Sequence, residues 1–177
     1  MRAIILVAGK GSRLPKKLSR YPKSFLTLKK KKIIEILYDN FKSCGIDKIS
    51  FVTGYKNKKF NDLNLKFKEF HNAKWKNTNM VYSLKKAENW LSKYPCVVSY
   101  GDIFYEKKAV VNLLKEKSPI VISYDANWKK LWFKRFKNPL DDAETFKFDK
   151  KNFITEIGLK TKNIKNIKGQ YMGLILV

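Results

Sequence analysis

The chain has 177 residues, room for one ordinary domain with a sizeable core. Against that core stand 39 Lys and Arg facing 15 Asp and Glu, a formal net charge of +24. The 44% hydrophobic and 14% aromatic content excludes a disordered basic tail, and no apolar run approaches the ~20 residues of a membrane span.

Only Arg2, Arg13, Arg20 and Arg135 are arginines, so lysines carry most of the charge as flexible point charges rather than as planar forks for phosphate or guanine. Three sources of the excess stay open: compositional drift, polyanionic small substrates, and nucleic acid. The N-terminus lacks a charged, apolar, cleavable signal layout, and the chain reads as cytoplasmic. Cys44 and Cys96 lie far apart without metal-ligand spacing and read as buried, reduced thiols. His71 stands alone.

From the N-terminus, Met1 to Ala8 is a nearly continuous apolar run, as a strand buried on both faces requires, and predicts a parallel sheet. Lys29 to Lys32 reads as a solvated turn before a helix. Ile33, Ile34, Leu37 and Phe41 recur at helical spacing, with Gly45 where a helix end favours a left-handed residue. Lys48 to Thr53 reads as the next strand and Leu65 to Phe70 as another. Met80, Val81, Leu84, Ala87 and Leu91 mark one face of a helix entered near Thr78. Cys96 to Tyr100 is a further apolar strand; a helix carrying Val110, Leu113 and Leu114 and a strand at Pro119 to Tyr124 follow it. This alternation predicts an α/β fold, a doubly wound, mostly parallel sheet with helices on both faces. Beyond it, Ala143 to Phe148, Phe153 to Ile157 and Gln170 to Val177 read as consecutive strands, antiparallel additions that make the sheet mixed. An apolar strand at the very end requires either cover or further residues beyond Val177.

The chemistry gathers in three places. The first is Leu6-Val7-Ala8-Gly9-Lys10-Gly11-Ser12-Arg13-Leu14, a glycine-rich turn that the first strand aims at the carboxyl edge of the sheet, where open α/β folds bind ligands. Gly9 and Gly11 let backbone N–H groups approach phosphate or a base edge, and Lys10 and Arg13 add charge. Leu14 stands where a dinucleotide fingerprint has its third glycine, so that motif is excluded. Pro22-Lys23-Ser24-Phe25-Leu26 follows. The second is Gly101-Asp102, a carboxylate at a strand end, placed to hold a metal that bridges phosphate oxygens. The third is Trp128, Trp132, Arg135, Asp141, Asp142 and Glu144, aromatic faces and carboxylates suited to an ammonium or amino group, with an arginine to meet phosphate. Each has a bland counterpart: a tight turn, a Gly-Asp turn, and core tryptophans beside a solvated acidic loop.

A buried strand, then G-x-G-x-R-L, then P-K with an apolar tail, resembles the nucleotidyltransferases that join a nucleoside triphosphate to a phosphorylated small molecule. Thr78-Asn79-Met80-Val81-Tyr82-Ser83-Leu84 resembles a segment of their phosphocholine and aminoalkylphosphonate cytidylyltransferase branch. The resemblance implies a Rossmann-like nucleotidyltransferase fold in one domain, with residues 1–118 the nucleotide-binding half and 119–177 the acceptor-binding half. Arg13 and Lys23 then grip the triphosphate, and Leu6, Ala8, Gly9, Lys10, Gly11, Ser12, Asn79, Ser83, Gly101 and Asp102 line its site. Asp102 holds Mg²⁺, and Trp128, Trp132, Arg135, Asp142, Glu144 and Tyr171 bind the acceptor. Helix capping is the competing role for Thr78 or Asn79.

The implied reaction is Mg²⁺-dependent transfer from CTP to phosphocholine or a similar amino-phosphate or phosphonate, releasing pyrophosphate, for surface glycan or lipid modification. A sugar-1-phosphate nucleotidyltransferase is the alternative, and an inactive or RNA-binding basic module is the rival from another class. That rival lacks the arginine–aromatic signatures of a dedicated RNA reader. A homodimer is left open. Family members usually continue to a second metal-binding aspartate, so the resemblance also implies a C-terminally truncated chain.

Overall fold

The structure is a computed structural model that describes residues 1–12, 15 and 20–177. β1 (Arg2–Leu6) is followed by a small antiparallel hairpin of β2 (Thr27–Leu28) and β3 (Lys31–Lys32). Its connecting residues Lys29 and Lys30 have φ of 50° and 66°, so half of the long basic run is a left-handed two-residue turn and half is strand. α1 (Ile33–Ser43) ends as its sequence predicts: Gly45 has φ 78°, and its N–H donates to the Lys42 carbonyl at 3.0 Å. Next come β4 (Ile49–Thr53), β5 (Lys68–His71), α2 (Met80–Lys85), α3 (Glu88–Leu91), β6 (Cys96–Tyr100) and α4 (Lys107–Lys115). The rest of the chain forms β7 (Val121–Asp125), α5 (Trp128–Arg135), β8 (Phe146–Phe148), β9 (Ile154–Ile157) and β10 (Gln170–Leu176). Among the described residues no helix is long and apolar enough to cross a membrane.

Two compact units make up the chain, Met1–Val121 with Gly173–Val177, and Ile122–Met172. In the first, β1 lies between β4 and β6 and is parallel to both, with Ala3 opposite Ile49 on one side and Val97 on the other. β5 extends the parallel set beyond β4, and Leu174, Ile175 and Leu176 of β10 run antiparallel to Ser99, Val98 and Val97. The final apolar strand therefore has a paired neighbour, and the sheet is mixed.

Because successive strand residues point to opposite faces, Phe51 and Val52 need cover on both sides. Val52, Ile4 and Val98 pack with Ala87 and Trp90 on one face, while Phe51 meets Tyr38 of α1 on the other, at 6.5 Å between ring centroids. The helix predicted over residues 80–91 is two short helices with a break at Ala87, whose φ of −95° and ψ of 15° leave the helical range. The break changes the buried face: Ser83, Ala87 and Trp90 are buried, while Met80 and Val81 are exposed.

The second unit departs further from expectation. Residues 128–135 form a helix where no element was predicted, and β8 and β9 pair with each other in a separate two-stranded sheet rather than joining the main one. Its core is Trp128, Ala143 and Ile167, with Trp132, Leu140 and Ile164 packed around them.

Candidate active site

The carboxyl ends of β1 and β6 bring the glycine turn and Asp102 together, since Leu6 and Tyr100 are paired across the sheet. Gly101 lets them run this close: its N–H donates to the Leu6 carbonyl at 2.9 Å, and a Cβ there would lie 2.2 Å from Val7 Cγ1. Packing alone thus accounts for Gly101, and its consequence is that Asp102 emerges beside the turn. Gly9 is the converse case, because a Cβ there would meet nothing within 4 Å.

Lys23 opens a one-turn helix over Lys23–Phe25, started by Pro22, whose carbonyl accepts the Phe25 N–H at 2.9 Å. This turn carries the ammonium to Asp102, with Nζ 2.6 Å from Oδ2 and both side chains about one-third exposed. Asn79 completes the wall. Its Oδ1 accepts the Tyr82 N–H at 2.9 Å and caps α2, so Asn79, not Thr78, is the helix cap.

These elements enclose a pocket of about 280 Å³. Leu6, Ala8, Gly9, Gly11, Lys23, Asn79, Ser83, Gly101 and Asp102, all singled out in the sequence, line it together. Lys10 and Ser12 are exposed outside that lining, and the Lys10 ammonium lies 5.9 Å from the Tyr55 ring centroid. Arg13 lies outside the described residues. Val7, Ser24, Trp75, Thr78, Met80 and Tyr100 also line it and were not among the expected site residues. Ser24 is buried, and its Oγ has no hydrogen-bond partner among the described residues; its position directly after Pro-Lys was the available signal.

The expected acceptor residues lie in the second unit, and the structure corrects part of that expectation. Trp128 is fully buried against Ala143 and Ile167, so its faces are core rather than open to a cation. Trp132 meets Trp128 edge-on at 5.9 Å, donates from Nε1 to Asp142 Oδ2 at 3.1 Å, and has the Arg135 guanidinium 5.1 Å from its ring centroid. Trp132, Arg135 and Asp142 are thus brought together, with a cation from the chain itself over the indole. Glu144 is exposed, its carbonyl accepting from Gln170 at 2.8 Å, and Tyr171 is half-buried in β10.

Other titratable groups serve packing. The Tyr105 hydroxyl donates to Ser99 Oγ at 2.9 Å, and burial pushes its phenol well above the ordinary range. Burial likewise raises the Cys96 thiol, whereas Cys44 is only half-buried. His71 Nδ1 lies 3.1 Å from Thr53 Oγ1, away from the pocket lining.

Asp102 is the one carboxylate among the pocket's lining residues, and no group of three or more metal-ligating side chains occurs among the described residues. That donor set does not make an all-protein cage. It does fit Mg²⁺ in the form that nucleotide enzymes use, with one carboxylate and the substrate's phosphates as ligands.

A parallel sheet with a glycine turn, a lysine and an aspartate at its carboxyl edge defines a phosphate-handling α/β enzyme. Residues 3–140 match the MobA-like NTP transferase domain, and the chain belongs to that nucleotidyltransferase family. Its relatives there include cytidylyltransferases and a bifunctional sugar-1-phosphate nucleotidylyltransferase/acetyltransferase of Sulfurisphaera tokodaii, the latter 29% identical over 125 residues, 69% of this chain and 30% of that protein. The CTP:phosphoglutamine cytidylyltransferase of Campylobacter jejuni is 39% identical over 182 residues, covering 98% of this chain and 72% of that protein. The choline-phosphate cytidylyltransferase of Streptococcus pneumoniae is 35% identical over 86 residues, 48% of this chain and 38% of that one. The inositol-1-phosphate CTP transferase of T. maritima shares the fold, with a TM-score of 0.75 at 18% identity over 99% of this chain and 69% of its own.

Proposed function

We propose that this chain transfers a cytidylyl group from CTP to the phosphate of a small nitrogen-bearing acceptor, with phosphoglutamine or phosphocholine as the model acceptors. The observation that carries this reading is the convergence of the glycine turn, Lys23, Asp102 and the start of α2 on one pocket. In the reaction an acceptor phosphate oxygen attacks the α-phosphorus; a new P–O bond forms, the bond to the bridging oxygen breaks, and pyrophosphate leaves. The resulting CDP-linked acceptor is an activated donor for modifying a surface glycan or lipid.

Negative charge grows on the equatorial and leaving oxygens, so a positioned cation and backbone donors supply most of the stabilisation. Lys23 is that cation, held in place before substrate arrives by its contact with Asp102. The glycine turn offers N–H groups with no side chain at Gly9 to keep phosphate away. Asp102 would hold Mg²⁺, which when bound supplies Lewis-acid charge neutralisation at the phosphates. With triphosphate bound, Lys23 would turn from Asp102 to the phosphates, leaving the Asp102 carboxylate to hold the metal.

Pyrophosphate release with CTP, UTP, GTP and dTTP, each against phosphoglutamine, phosphocholine and a sugar 1-phosphate, tests the reading. Release with CTP and an amino-phosphate supports it; release only with a sugar 1-phosphate would replace it with the sugar-nucleotide alternative.

A further inference from the structure

Asn72, just beyond β5, is fully buried, and its hydrogen bonds leave no freedom of direction. Its Oδ1 accepts the Lys74 backbone N–H at 3.0 Å, and a backbone N–H can only donate, so the amide oxygen and nitrogen are assigned without choice. Its Nδ2 then directs its two hydrogens to Thr78 Oγ1 at 3.0 Å and Ser83 Oγ at 2.9 Å. Each hydroxyl gives its own hydrogen to a carbonyl, Thr78 to Lys74 at 2.8 Å and Ser83 to Asn79 at 3.2 Å. Both residues line the pocket, and neither hydroxyl has a further partner among the described residues. What each still offers a ligand is a lone pair.

A freely rotating hydroxyl serves as donor or acceptor and reads amino and keto groups alike; a locked one does not. We infer that Asn72 is a positioning residue: by donating to one lone pair of Ser83 it fixes that hydroxyl's direction, so that the hydrogen goes to the Asn79 carbonyl and the remaining lone pair is left for the pocket, which selects a base with an exocyclic amino group over one with a keto group there. This rests on reading the pocket as the nucleotide site and adds how cytosine is told from uracil. The 4-amino group of cytosine would donate to Ser83, while the 4-keto oxygen of uracil would set lone pair against lone pair. The neighbouring Asn79 is fixed in the opposite sense, its oxygen committed to the Tyr82 N–H and its amide hydrogens left as donors.

Calorimetric titration of CTP and UTP into wild type, Asn72→Ala, Asn72→Ser and Ser83→Ala tests this, with circular dichroism to confirm folding. The two Asn72 variants differ in how they fill the buried space, so a folded one is available if the other collapses. The expected result is a CTP-over-UTP preference in wild type that falls about tenfold in either Asn72 variant. In Ser83→Ala, CTP should weaken about tenfold while UTP stays within about twofold. Equal weakening of both nucleotides, or an undiminished preference, would show that Asn72 only supports the fold and would overturn the inference. A wild type that binds no CTP would instead bring down the nucleotide-site reading, and this inference with it.

Discussion

The pocket of the first unit and the tryptophan cluster of the second are built from similar chemistry, yet they use it differently. In the pocket, Lys23, Asp102 and Ser24 stand at the rim or wall of an open space, and a Cβ on Gly9 would point into emptiness. In the cluster the groups satisfy one another: Asp142 accepts from Trp132, Arg135 covers the same indole, and Trp128 is buried. The difference lies in how the backbone delivers the residues. Strand ends present side chains outward at a sheet edge. The Trp128, Trp132 and Arg135 side chains lie along one helix at spacings of four and three, where they fold onto one another and the core beneath.

Substitution should separate the two regions. Trp128→Ala removes the largest fully buried side chain among the described residues and is expected to cost about 3–5 kcal/mol of stability, read by urea denaturation. A loss below about 1 kcal/mol would return Trp128 to the list of ligand-facing residues. Lys23→Ala is expected to do the reverse, lowering CTP turnover about 10²–10³-fold with little change in melting temperature, because its ion pair is partly solvated. Gly9→Ala should weaken CTP binding about tenfold and leave stability unchanged, since the added methyl enters space that only a ligand would fill.

Tyr105→Phe is the smallest expected effect. It removes one buried hydrogen bond, about 1 kcal/mol at neutral pH. Because burial raises the phenol's pKa in the folded protein, this contribution is fully present below about pH 10, the ordinary phenol value. It is lost as pH rises through the folded-state value. The stability gap between wild type and variant should therefore narrow above about pH 10, and a gap constant with pH would contradict the burial argument.

How far the sequence was legible follows the same division. Apolar runs such as Cys96 to Tyr100 could only be buried strands, and Gly45 marked a helix end that the chain obeys. The pocket was legible because a glycine turn, Pro-Lys and Gly-Asp each impose a local backbone shape that exposes the next residue. Helix α5 was not, because tryptophans and lysines with little apolar stripe give no clear period, and an indole reads the same whether it is core or surface. Asn72 escaped notice for another reason. Its role depends on Thr78 and Ser83, 6 and 11 positions away, which only folding brings within hydrogen-bond range.

The central claim is that one pocket, closed by Lys23 and Asp102, holds CTP. Calorimetric titration of CTP with Mg²⁺ into wild type and Lys23→Ala tests it most directly. The account predicts Mg²⁺-dependent binding in wild type that is lost or weakened at least about tenfold in the folded variant. Equal affinity in the two proteins, or no CTP binding by wild type, would contradict it.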